Sequence, residues 1–214
     1  MKKMNYILIA LGALIGLWSI WGYFGSNVEQ AAYTVVKKMD GYELRDYPPH
    51  IVARTTVKGS YEEAMRAGFR ILASYIFGGN TKKENIAMTA PVVAKKGESG
   101  QTSESIAMTA PVIAVNRGDA HVISFGMPSS YTMESLPIPN DKRIEIIELP
   151  ALKYAVMRFS WYRSDARIKS VQAQLLAALA KEGIETQGNP SYAGYNAPWT
   201  PPWMMRNEVL VELK

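Results

Sequence analysis

One order of local signals occurs twice along this chain and constrains its fold more than any other feature: extended runs, an amphipathic helix, then two further extended runs. In the first pass, residues 42–47 alternate apolar and polar side chains, Pro48 and Pro49 interrupt, and residues 51–57 resume a strand pattern. Gly59-Ser60 then opens a helix, with Ser60 as N-cap, Glu62 and Glu63 in the first turn and Gly78-Gly79 as the stop. Strands follow at 106–114 and 121–127. In the second pass, strands at 143–149 and 152–160 precede a helix at about 164–182, and strands near 190–195 and 207–213 follow. That helix carries Asp165 in its first turn, a stripe of Ile168, Val171, Leu175 and Leu179, and Gly183 at its end. Two βαββ units, neither able to cover its own sheet, predict one α+β domain with two helices against a curved, largely antiparallel sheet.

Two stretches present more apolar surface than such a domain needs. On the first helix Met65, Phe69, Leu72 and Ile76 form one stripe, and Ala64, Gly68, Ile71 and Tyr75 form a second, smaller one. One face can meet the sheet; the other calls for a loop, a partner or a ligand. Near the carboxy terminus, residues 192–208 read YAGYNAPWTPPWMMRNE, and three prolines there forbid regular secondary structure. Trp199, Trp203, Met204 and Met205 on this stiffened loop either cap the core or line a ligand site. A short internal repeat also stands out, IAMTAPVVA at 86–94 and IAMTAPVIA at 106–114. Both copies read as strands, with Ile106, Met108, Ala110 and Val112 on one face. Pro91 and Pro111 lack an N–H and belong at an edge or bulge.

Residues 4–24 contain no charged side chain and are long enough to span a bilayer, while Lys2 and Lys3 flank the start. The stretch exceeds the roughly 7–15 apolar residues of a cleaved signal. The expectation is an amino-terminal membrane anchor or signal segment over 1–26, a tether over 27–40 and a folded domain over 41–214. By the positive-inside rule, that domain faces the extracytoplasmic (periplasmic) side. At 48% apolar and 20% charged residues, the chain can bury a core. It has no Cys and only His50 and His121, which excludes disulfide scaffolds, thiolate chemistry and any mechanism needing several imidazoles. Lys2 and Lys3 account for two of the net +5, and the remaining +3 does not argue for nucleic acid. Nothing in the sequence fixes the oligomeric state.

Taken together, GFRILASYIFGGN at 68–80, IAMTAPV at 86–92 and 106–112, SFGMPSSYTMESLP at 124–137 and YAGYNAPWTPPWMMRNEV at 192–209 resemble the SOUL haem-binding protein family. The resemblance covers residues 41–213. It implies a duplicated βαββ fold, with two helices on a twisted eight-stranded sheet or distorted barrel, akin to the effector-binding domains of some transcription regulators. It also implies binding of haem or a related tetrapyrrole in a cleft between the first helix and the loop before the last strand. The cleft residues so implied are Met65, Phe69, Leu72 and Ile76 facing Trp199, Trp203 and Met204. Arg66, Arg70, Lys82, Lys83 and Arg206 are candidates for pairing with propionates. Some members carry His in a first-strand motif YEIRHY, where this chain reads YELRDY with Asp46. His50 is a weak candidate metal ligand, His121 begins a strand, and Met88, Met108 and Met204 are soft alternatives. The competing readings are a small-molecule hydrolase on an effector-binding-type fold and a protein- or lipid-docking domain. No Ser/His/Asp triad or paired-carboxylate spacing speaks for an enzyme.

Overall fold

The computed structural model describes residues 2–24, 28–83 and 103–214. The amino-terminal segment forms helix α1 (Lys2–Phe24) and strands β1 (Glu29–Gln30) and β2 (Thr34–Lys38). Strands β3 (Glu43–Tyr47) and β4 (His50–Lys58) lead into α2 (Tyr61–Ile76), followed by β5 (Asn80–Thr81), β6 (Thr109–Ala110), β7 (Val112–Arg117) and β8 (Ala120–Gly126). The second unit has β9 (Ile138–Pro139), β10 (Glu145–Leu149), β11 (Leu152–Phe159), α3 (Asp165–Lys181), β12 (Thr186–Gly194) and β13 (Asn207–Leu213). A single 3-10 turn, Pro202–Met204, precedes the last strand.

The expected α+β architecture is present, with one more strand than expected. Among the described residues the main sheet has nine strands in the order β10-β4-β8-β7-β12-β13-β11-β3-β2, and all neighbours are antiparallel. The two units meet where β7 pairs with β12. Each unit lends its first strand to the other: β3 pairs with β11, and β10 pairs with β4. The ninth strand, β2, comes from the stretch expected to be a tether and adds to the edge beyond β3. The second IAMTAPV copy does not form one continuous strand. β6 pairs in parallel with β1, Pro111 sits at the break, and β7 begins at Val112. The first copy lies outside the described residues.

Both helices pack on one face of the sheet and share one core, in which Leu72, Tyr75, Leu175 and Leu179 meet Ala53, Ile123, Ala155 and Val209. Helix α2 begins as its sequence demands. The Ser60 backbone N–H donates to Glu63 Oε2 (3.1 Å), and the Glu63 N–H donates back to Ser60 Oγ, a reciprocal cap worth about 1 kcal/mol. Its core face takes Ala64, Gly68 and Tyr75 from the smaller stripe and Leu72 and Ile76 from the larger one. Gly68 permits the close approach, because a Cβ there would lie 2.5 Å from Ile123 Cγ1 on β8.

The bilayer-spanning anchor, the outward-facing periplasmic domain and the membrane as partner are not upheld. Among the described residues no helix is long and apolar enough to cross a membrane. The far end of α1 lies on the domain. Trp18 Nε1 donates to the Trp199 carbonyl oxygen (2.8 Å), and the Trp18 ring meets Trp203 edge-on at 5.3 Å. A Cβ at Gly22 would collide with the Pro201 ring.

Candidate ligand-binding site

Helical spacing sets one wall of a groove. Tyr61, Met65 and Phe69 follow one another at intervals of four residues along α2, so their side chains share one face, and Phe77 joins them from the C-cap just past the helix. The opposite wall is the chain leaving β12, from Gly194 through Asn196 and Pro198 to Trp199, and Met108–Val112 with Val28 lies between. The space enclosed is about 770 Å³, within the usual range of small-molecule sites. Phe69 touches Phe125 edge-on at 5.3 Å, which fixes its ring while leaving it 37% exposed. Phe77 and Trp199 are more open still, at 65% and 58%. Positive charge comes from Arg66, Arg70 and Arg163, the last just ahead of the α3 N-cap Ser164.

The structure divides the cleft residues expected from the sequence. Met65, Arg66, Phe69 and Trp199 come together in the groove, as does Arg70. Leu72 and Ile76 do not: they are fully buried with Ile106 and Leu136. The segments around 104–106 and 136–140 wrap the C-terminal half of α2, where Ile106 N–H donates to Ile76 O and the Tyr75 hydroxyl to Pro137 O. Trp203 turns to Trp18, and it and Met204, in the 3-10 turn, are not among the groove's lining residues. Phe77, Arg163 and Tyr61 were missed. Phe77 and Arg163 flank the helices at cap positions, where face periodicity assigns no direction. Tyr61 is the first helical residue, one turn before Met65 on the same face, and the expected stripe begins only at Met65.

Arg206, expected to pair with a propionate, belongs instead to a buried ion network. Glu208 is 0% exposed and accepts from Arg45 Nη1 and Nη2 (3.0 and 3.2 Å), Arg206 Nε (2.9 Å) and the Tyr195 hydroxyl (2.8 Å). Burial by itself would lower the Arg45 pKa, but hydrogen bonds to Glu208, Tyr47 and Glu43 hold it above its ordinary value. Arg206 also covers the Tyr195 ring at 3.8 Å, and its backbone N–H donates to Asn196 Oδ1 (2.6 Å). It therefore positions the groove wall from behind.

No histidine lines the groove. His50 Nδ1 donates to Pro48 O (2.9 Å) beside a separate depression of about 520 Å³. His121 is buried, with its ring 5.8 Å from that of Tyr61. Asp46 is exposed on β3. The soft donors at the groove are the thioethers of Met65 and Met108.

The sequence profile of the family described as "SOUL heme-binding protein" matches residues 28–104 and 96–212. "Heme-binding protein 1" of Xenopus laevis is 27% identical over 169 residues, spanning 78% of this chain and 81% of that protein. "Heme-binding protein 2" of Homo sapiens is 30% identical over 161 residues, spanning 73% and 71%. Among solved structures, the EcmrR C-terminal domain superposes with a TM-score of 0.55 at 10% identity, covering 85% of this chain and 98% of that one. That last likeness is one of fold alone.

Proposed function

Because the chain belongs to the SOUL heme-binding protein family, we propose that the groove between α2 and the 194–199 loop holds haem or a related tetrapyrrole, for buffering, transport or sensing. The observation that carries this reading is the convergence of Phe69, Phe77 and Trp199, three large exposed rings, on one groove of about 770 Å³. Exposed rings gathered in one concavity are apolar surface without a partner, and a flat aromatic ligand would cover them. Each ring buried on binding contributes roughly 1.5–3 kcal/mol of transfer free energy.

The residues present fit the group. Arg66, Arg70 and Arg163 supply guanidinium forks for two carboxylates, and the rings supply the faces for the macrocycle. With no imidazole at the groove, binding would rest on ring contact and carboxylate pairing, and the thioethers of Met65 and Met108 are the soft donors that the lining would offer an iron. Titrating the purified protein with haem, monitored at the Soret band, tests the reading. Metal-free protoporphyrin should compete for the same site within about tenfold of haem. Saturable binding of neither compound at micromolar concentration would refute it.

A further inference from the structure

We infer that Tyr61 and Arg163 form a carboxylate-recognising end of this groove, Tyr61 as neutral hydrogen-bond donor and Arg163 as counter-charge; the inference rests on the tetrapyrrole reading and assigns the ligand's orientation within it. Among the described residues only four buried side-chain polar atoms lack a hydrogen-bond partner: the hydroxyls of Tyr42, Thr55, Tyr61 and Thr200. Of these residues Tyr61 alone lines the groove. A buried hydroxyl without a partner costs stability, so its presence at a binding surface calls for an explanation beyond packing. The neighbouring phenol shows the contrast. Tyr192 also lines the groove, but its hydroxyl donates to Asn207 Oδ1 at 2.6 Å. The Tyr61 ring is held edge-on by both His121 (5.8 Å) and Tyr192 (6.2 Å), which leaves the phenol little freedom to seek another partner.

The positive charge of Arg163 acts on both hydroxyls and its guanidinium is also bonded to that of Tyr192, while Asp165 and Glu62 act on Tyr61 with the opposite sign, so Arg163 is the charge that must outweigh them for a carboxylate to settle here. Burial raises the Tyr61 pKa above its ordinary value, the largest of its influences, so the group enters the site as a donor and not as phenolate. A neutral O–H beside a guanidinium suits a carboxylate oxygen. Arg66 and Arg70 stand farther along the same helix, one and two turns on from Glu62. A ligand with two carboxylates would thus be held at separate places, with its ring over Phe69 and Trp199.

The experiment compares haem with haem dimethyl ester, whose carboxylates are masked, on the wild-type protein and on Tyr61→Phe and Arg163→Gln, with the melting temperature of each unliganded protein. The wild type should prefer haem over the ester by at least tenfold. Tyr61→Phe should shrink that preference several-fold by weakening haem alone, and its unliganded melting temperature should be unchanged or raised, because an unpaired buried hydroxyl has been removed. Arg163→Gln should shrink it likewise. An undiminished preference in both variants, or a wild type indifferent to esterification, would overturn the proposal while leaving the groove as the haem site. Failure of both compounds to bind would overturn the underlying reading instead.

Discussion

Glu208 and Gly68 show how single positions hold the frame of the groove. The Glu208 carboxylate faces two guanidiniums and a phenol with no exposure to solvent, so removing its charge leaves the buried Arg45 with Glu43 opposite it and takes from the half-buried Arg206 its carboxylate partner. Glu208→Gln should cost about 3–5 kcal/mol in urea unfolding, and a loss below about 1 kcal/mol would show that the network is dispensable. Gly68→Ala places a Cβ 2.5 Å from Ile123 Cγ1 and 2.9 Å from its Cβ. Overpacking of that kind should lower stability by about 1–3 kcal/mol and widen the groove, because α2 must lift from β8; an unchanged melting temperature would contradict it. At this scale the sequence was half legible. Met65 and Phe69 were identifiable as surplus apolar residues, but the same period carried Leu72 and Ile76 along with them. Which end of a stripe is covered depends on segments 104–106 and 136–140, far away in the chain, and helical periodicity holds no record of them. The role of Arg206 was hidden for a related reason, since only the fold brings Arg45 across to Glu208 and makes that carboxylate a buried partner for both.

The elements were more legible than their roles. Helices α2 and α3 lie where Ser60, Gly78, Asp165 and Gly183 announced them, because caps and stops act locally. The aromatic loop was open to two readings, a cap on the core or the lining of a ligand site, and its two tryptophans part company: Trp199 lines the groove and Trp203 meets α1. The amino-terminal helix was expected to be an anchor from its charge-free run, which holds no record of a tertiary contact with the aromatic loop. In the structure its Trp18 is bonded to the carbonyl of the very residue that forms the groove wall. Trp18→Ala removes one hydrogen bond and one ring contact, about 1 kcal/mol each. It should therefore speed amide exchange across residues 199–205 and weaken haem binding by a few-fold. Exchange and affinity both equal to wild type would show that α1 lies on the loop without supporting it.

Across the whole molecule, the duplicated order of strands and helices was plain in the chain, but the exchange of first strands between units was not. Partner choice among strands follows from tertiary packing, and a half-buried pattern such as residues 42–47 fits either neighbour. Since β3 completes the second unit and β10 the first, neither half has a finished sheet alone. Urea unfolding should be a single transition, coincident by far-UV circular dichroism and tryptophan fluorescence; two separated transitions would mean that the units fold independently. The curled sheet brings α2 beside the loop between β12 and β13, so the groove joins the first unit to the second. Its role is tested most directly by haem titration of Phe69→Ala, Trp199→Ala and Leu72→Ala, with affinity and melting temperature measured on each. Phe69 and Trp199 are substantially exposed and Leu72 is fully buried. The first two variants should therefore lose tenfold or more in affinity with nearly wild-type melting temperature. Leu72→Ala should lose about 2–5 kcal/mol of stability with affinity retained in the folded fraction. Unchanged haem affinity in both Phe69→Ala and Trp199→Ala would place the ligand elsewhere on the molecule.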